Sequence, residues 1–163
     1  MLRHGTQVAQ DEPNSGAGMS KGVEIRWSYP KPWDTAKDSN QGAMNGVYQT
    51  CRTWAGSESL LYVGLVKSER RAFYQRMNEH RKEWINEKRG AITYRFGIVK
   101  PLRGLEYSED LIEEVEGALI LELQPPYNRM KKRSFSLREE LVIASRGNRG
   151  FAPPSLDTAK RFD

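Results

Sequence analysis

Apolar residues recur with period two in three short stretches, and this alternation limits the fold more than any other feature of the chain. Val47, Gln49 and Cys51 alternate with Tyr48, Thr50 and Arg52 over Gly46–Arg52. Leu60–Gly64 forms a second stretch. In a third, Ile92, Tyr94, Phe96 and Ile98 alternate until Pro101 ends the run. Successive side chains of a strand point to opposite faces, so each stretch predicts a strand packed on one face. Trp54–Ser59, with Gly56 and two serines, reads as a loop between the first two strands. Short connections of that kind favour antiparallel pairing.

Between and after these strands the period changes. Phe73, Met77, His80 and Trp84 fall on one stripe of a helix that Ser68 would cap and that would run to about Lys88, before Gly90. Ser108 caps a second helix whose first turn carries Glu109 and Asp110, favourable for the helix dipole. Its apolar stripe includes Ile112, Val115, Leu119 and Leu123, and Pro125-Pro126 ends it. The order is ββαβα. The predicted class is α+β, a small three-stranded antiparallel sheet flanked by helices. Val23–Ser28 is a candidate short strand cut off by Pro30 and Pro32, and Asp34–Asn45 reads as loop. Ser134–Ser145 reads as a further helix, and Gly147–Asp163 as a tail. Met1–Ser20 is rich in Gly, Ser, Asn and Gln without periodicity, the composition of a disordered segment. These features divide the chain into an N-terminal extension (1–42), a central domain (43–133) and a C-terminal helix and tail (134–163).

At 163 residues the chain suits one domain with a real core. No apolar run is long enough to cross a bilayer, which predicts no membrane partner, and the N-terminus lacks the apolar stretch of a secretory signal. A single cysteine, Cys51, excludes an intramolecular disulfide and fits a reducing cytoplasm. With His4, His80 and Cys51 as the only soft ligands, a structural zinc site is excluded and any metal is expected to be a hard cation held by oxygen. The net charge of +5 favours an acidic partner. Its distribution says more. Lys67, Arg70, Arg71, Arg76, Arg81, Lys82, Lys88 and Arg89 form one basic cluster. Arg129, Lys131, Lys132, Arg133 and Arg138 form another, and the stretch between them, Glu106–Glu122, is purely acidic. Any one cluster reads equally well as a solvated helix face; two of them flanking one region favour a polyanion such as nucleic acid.

That region holds an ordered set of residues: Gly46-Val47-Tyr48, Tyr62-Val63-Gly64, Arg76 and His80 one helical turn apart, Glu116, and Pro125-Pro126-Tyr127-Asn128. Glu116 interrupts the apolar stripe of its helix, where a carboxylate is costly unless it is paired or binds a cation. In this order the set resembles the GIY-YIG nuclease family, over roughly Ala43 to Arg133.

The resemblance implies the ββαβα core and a metal-dependent hydrolysis of phosphodiester bonds in DNA. It implies that Glu116 holds one Mg²⁺ or Mn²⁺ that keeps several waters. Arg76 would grip a phosphate with its planar fork. Tyr48 would take a proton from the attacking water, its phenol made more acidic by the metal and by Arg76, and Tyr62 would orient the site. Gly64 would let the chain turn sharply into the helix. His80 suits proton transfer but equally suits a packed histidine on the Phe73–Trp84 stripe. Asn128 reads as an orienting residue. Lys67, Arg70, Arg71, Arg81, Lys131, Lys132 and Arg133 are the candidate DNA-binding residues. One departure is Leu65, where many members of the family carry Lys after the second Gly; it bears on the loop geometry. Two classes of function compete, the endonuclease and a catalytically silent nucleic-acid-binding module of the same fold. For the enzyme, restriction, repair or recombination, and mobile-element roles stay open, as does monomer against homodimer.

Overall fold

The first two alternating stretches pair as a tight hairpin. In the computed structural model, which describes residues 20–38, 45–67, 73, 75–76, 79–80, 89–102 and 104–161, β3 (Gly46–Trp54) and β4 (Ser57–Val66) are antiparallel. Only Ala55 and Gly56 separate them, with φ of 51° and 78°. Two successive positive φ values give a turn whose twist matches that of the flanking strands. The strands therefore extend further than the alternation alone predicts, and the loop expected over Trp54–Ser59 shrinks to two residues. A bulge at Thr50/Cys51 shifts the register. Tyr48 stays opposite Gly64 and Thr50 opposite Tyr62, on one face.

The expected three-stranded sheet flanked by helices is not what forms. β5 (Ala91–Pro101) pairs with β3, and on its other side with β1 (Lys21–Trp27). The sheet then continues through β6 (Leu141–Gly147) to β7 (Ser155–Asp157), while the short β2 (Lys31–Pro32) also joins β5. The result is one seven-stranded sheet ordered β4-β3-β5-β1-β6-β7. It is mixed, because β1 and β6 run parallel, and it curls into a half-barrel.

The added strands come from Lys21–Trp27 and Leu141–Gly147, which pair with each other. Leu141, Ile143 and Ser145 are buried in turn while Val142 and Ala144 are less so, the pattern of a strand and not of the helix expected over Ser134–Ser145. Ile143 lies beside Val23 and Ser145 beside Ile25. The Ser145 hydroxyl accepts a hydrogen bond from the Trp27 indole at 3.1 Å. The expected tail is also anchored. Thr158, at the start of the short α2 (Thr158–Arg161), uses its hydroxyl to accept from Leu141 N at 2.8 Å and donate to Leu141 O at 3.2 Å.

α1 (Glu109–Leu123) is the only long helix among the described residues for which a full span is seen. The Ser108 hydroxyl caps it by accepting from Leu111 N. Leu111, Ile112, Val115, Leu119 and Ile120 are buried against Val47, Cys51 and Val63 of the sheet, each apolar side chain contributing about 1.5–3 kcal/mol. Segment 134–140 crosses the back of α1. There a Cβ on Gly117 would stand 2.5 Å from the Phe135 ring, so only glycine permits the approach. Arg138 fixes the same segment through the buried Glu114 carboxylate at 2.7 Å. The other face of the sheet carries Tyr48, Tyr94 and Phe96, with Val66 and Phe73 packed on them. Phe73, Gln75, Arg76, Glu79 and His80 are helical. The remaining residues of the helix expected between Ser68 and Lys88, Met77 and Trp84 among them, lie outside the described residues, as do residues 1–19.

Candidate active site

Tyr48 enters the core from β3 and is fully buried. The space for it comes from across the strand pair. A Cβ on Gly64 would lie 2.4 Å from both the Cζ and the Oη of Tyr48, and 2.7 Å from the Tyr62 ring. Gly64 is thus a cavity for the phenol. The expected sharp turn does not occur, because β4 runs on to Val66.

The phenol reaches the helical residues opposite. Tyr48 Oη lies 2.6 Å from His80 Nε2, and both groups are buried. Tyr62 stands edge-on to the imidazole with ring centroids 4.6 Å apart, and 6.1 Å from the Tyr48 ring. Phe73 covers Tyr48 from the side, edge to ring. Arg76, one turn before His80, bears on both phenols and is hydrogen-bonded to Glu79. Burial opposes the charge of Arg76, but Tyr48, Glu79 and Tyr62 outweigh it and strengthen its hold on its proton.

These surroundings displace two proton affinities in opposite directions. Burial, then the neighbouring Tyr62, drives the Tyr48 phenol well above its ordinary value, against the pull of Arg76. Burial and the Arg76 charge push the His80 imidazole down to about 4, with Glu79 opposing weakly. Arg76 does lower the phenol, as the sequence implied, but burial wins. Tyr48 is a neutral phenol and His80 a neutral imidazole at pH 7, joined by a short hydrogen bond. The sequence left His80 between a packed and a chemical role. It is packed, and it is also bonded to the phenol.

Glu116 comes to the same region from α1. It is 7% exposed, and its charge is felt by both Tyr48 and Arg76. Burial raises its pKa, opposed by Lys131, whose ammonium sits 2.6 Å from Oε2. The charge that looked unpaired in the sequence therefore has a partner. Asn128 bonds to the backbone of β4. Its side-chain amide accepts from Val63 N at 2.9 Å and donates to Val63 O at 2.7 Å, and Tyr127 N donates to Leu61 O at 3.0 Å. These bonds satisfy the outer edge of β4 on either side of Tyr62 and hold that ring in place.

Tyr48, Tyr62, Arg76, His80 and Glu116 thus converge, and Asn128 positions one of them. The basic residues divide. Lys67 is paired with Glu113 of α1, Lys131 with Glu116, and Arg138 with Glu114 and Asp110. Lys132 donates to Pro125 O at 3.0 Å. Arg129 and Arg133 are exposed. Arg70, Arg71 and Arg81 lie outside the described residues.

Among the described residues no three His, Cys, Asp or Glu side chains converge. A single carboxylate suits a hard divalent cation that keeps most of its waters, and not zinc. Glu116 is such a carboxylate, with an ammonium already at one of its oxygens. Missed in the sequence were that ion pair and a second buried polar group on the opposite face, where Gln49 and Arg95 face each other across β3 and β5. Lys131 carried no signal beyond its place in a basic run. Gln49, set between Val47 and Cys51 on one face, did. No helix among the described residues is long and apolar enough to cross a membrane. In comparisons with known proteins, no family model matches the chain, and neither a curated protein nor a solved structure matches it significantly.

Proposed function

We propose that this protein is a GIY-YIG-type endonuclease that hydrolyses phosphodiester bonds in DNA with the help of Mg²⁺ or Mn²⁺. The observation that carries the reading is the buried 2.6 Å bond between Tyr48 Oη and His80 Nε2, with Arg76 and Glu116 bearing on the same phenol. A neutral phenol of raised pKa is a poor base by itself. Joined to a neutral imidazole, it can pass a proton on. Tyr48 Oη takes a proton from the attacking water as its own proton moves to His80 Nε2, which leaves hydroxide at the phosphorus and imidazolium at His80. For this, His80 carries its resting proton on Nδ1. Arg76 is fixed beside the phenols by Glu79 and supplies the planar charge that meets the developing phosphorane oxygens. Glu116 would hold the divalent cation, which when bound supplies Lewis-acid charge to the phosphate and the leaving oxygen. Tyr62 packs on the imidazole and keeps its edge toward Tyr48.

One observation favours the catalytically silent nucleic-acid-binding module instead: Glu116 already holds Lys131. Incubation of the purified protein with supercoiled plasmid in Mg²⁺ or Mn²⁺, with an EDTA control, separates the two. Metal-dependent nicking or linearisation that disappears in Tyr48→Phe supports the enzyme. DNA binding without cleavage in any metal supports the silent module.

A further inference from the structure

The loop after α1 is held at three points, and those points deliver one lysine to one carboxylate. Asn128 is clipped to both polar groups of Val63. The Gln124 side chain donates to Lys132 O at 2.7 Å, and Lys132 Nζ donates to Pro125 O at 3.0 Å. Between these anchors Lys131 takes a φ of 62°, a left-handed conformation that non-glycine residues rarely adopt. Its side chain turns inward, with Nζ 2.6 Å from Glu116 Oε2 and 3.4 Å from Glu113 O. A cation is therefore built into the place where the carboxylate would meet a metal. Burying a bare carboxylate is costly, and the Lys131 ammonium offsets that cost in the resting protein.

We propose that Lys131 is a resident stand-in for the divalent cation, competing with it for Glu116 and displaced when it enters. The proposal rests on Glu116 being the metal ligand. An ammonium and a hard cation both seek the same oxygen and repel each other at contact distance, so Oε2 is held by one at a time. The four-carbon stem lets the ammonium swing out toward solvent without moving the clipped backbone. Resting metal affinity is then set by how hard Lys131 is to displace. The lysine joins the metal site as a tuning residue and not as a permanent DNA contact.

Titration of the full chain with Mn²⁺ at pH 8, without DNA, tests this through the electron paramagnetic resonance signal of the free ion. Lys131→Met is expected to bind Mn²⁺ roughly tenfold more tightly than wild type, within the range usual for coupled sites. Lys131→Arg, which restores the charge, should return the affinity to near wild type, and Glu116→Gln should remove the site. Equal or weaker affinity in Lys131→Met, with the site still lost in Glu116→Gln, overturns the competition and leaves Glu116 as metal ligand. A Lys131→Met protein whose Mn²⁺ binding does not depend on Glu116 overturns both.

Discussion

Tyr48 and Gln49 are consecutive residues of β3, both polar and both shielded completely from solvent. They face opposite sides of the sheet, into surroundings built on different terms. The Gln49 amide donates to Arg149 O at 2.8 Å and accepts from Phe151 N at 3.0 Å. Its cross-strand neighbour Arg95 donates to Asn148 Oδ1 at 2.8 Å, to Glu58 Oε1 at 2.6 Å and to the Cys51 thiol at 3.6 Å. Here donors meet acceptors, and the guanidinium of Arg95 ties Glu58, Asn148 and Cys51 together. Burial pushes the Cys51 thiol up to about 12, which leaves it inert. Around Tyr48 a phenol with raised pKa touches an imidazole with lowered pKa, next to an arginine and a buried carboxylate. Burial of polar groups is common to both sides. Opposed displacement of two proton affinities is also common to both, since the Cys51 thiol is raised and the Glu58 carboxyl beside it lowered. What sets the Tyr48 side apart is the kind of groups in contact, a phenol and an imidazole that can each give and take a proton, with Arg76 and Glu116 acting on the same phenol.

The sharpest way to break this contrast is Glu116→Gln, which should reduce cleavage below detection while leaving DNA affinity near wild type. Turnover at the wild-type rate in saturating Mg²⁺ would remove Glu116 from the site. Arg76→Ala should lower turnover by about 10²–10³-fold, as expected for a group that stabilises developing charge. Arg76→Lys should recover only part of it, because Lys lacks the planar fork. Full activity in both would place the arginine on an ordinary surface.

His80 gives the contrast a pH signature. Its folded pKa near 4 lies below the value of about 6.5 expected when unfolded, so the unfolded chain takes up the proton first as pH falls. Stability from this group is fully present above about pH 6.5 and is lost progressively toward pH 4. Denaturant unfolding at pH 7 and pH 5 should show wild type losing more stability than His80→Gln over that interval. An identical loss in both proteins would mean that His80 is not held neutral.

On the other face, Gln49→Ala should cost about 1–3 kcal/mol by leaving Arg149 O and Phe151 N without a partner. Its cleavage rate at saturating protein should match wild type below the unfolding temperature. A lowered rate in a protein of normal stability would erase the distinction between lock and site. Smallest of all should be the effect of Arg129→Ala with Arg133→Ala on chemistry. These exposed residues should weaken DNA binding and reduce its salt slope by about 2, with single-turnover cleavage unchanged. An unaltered slope would make them solvated charges only.

The strands around Tyr48 were legible because alternation is local: Tyr48, Tyr62 and Phe96 announce their faces within a few residues. β6 was not. Ser134–Ser145 reads as helix, and what makes Leu141–Gly147 a strand is parallel pairing with β1, more than a hundred residues upstream. No local period encodes such a partner. The convergence of Tyr48, Arg76, His80 and Glu116 was foreseen only through their order and a resemblance. The burial of Glu116 could be read from the apolar stripe it interrupts; the lysine that neutralises it could not, because a single left-handed residue in a loop decides where that ammonium goes. Gln49, between Val47 and Cys51, carried a local sign of burial, but its partners did not, since the loop that supplies them folds back from the far end of the chain.

The contact between Gly64 and Tyr48 has a consequence for how this sequence can change. The two short strings that contain them are separate in the chain, yet in space one is the mould of the other. A side chain cannot be added at residue 64 while a six-membered ring stands at 48, and a smaller residue at 48 would leave a void beside residue 64. A larger residue at 64 would clash, and a smaller one at 48 would leave a cavity, so either change alone is expected to cost stability. Residues 48 and 64 are constrained as a pair, for a reason of shape that holds whether or not the phenol ever handles a proton.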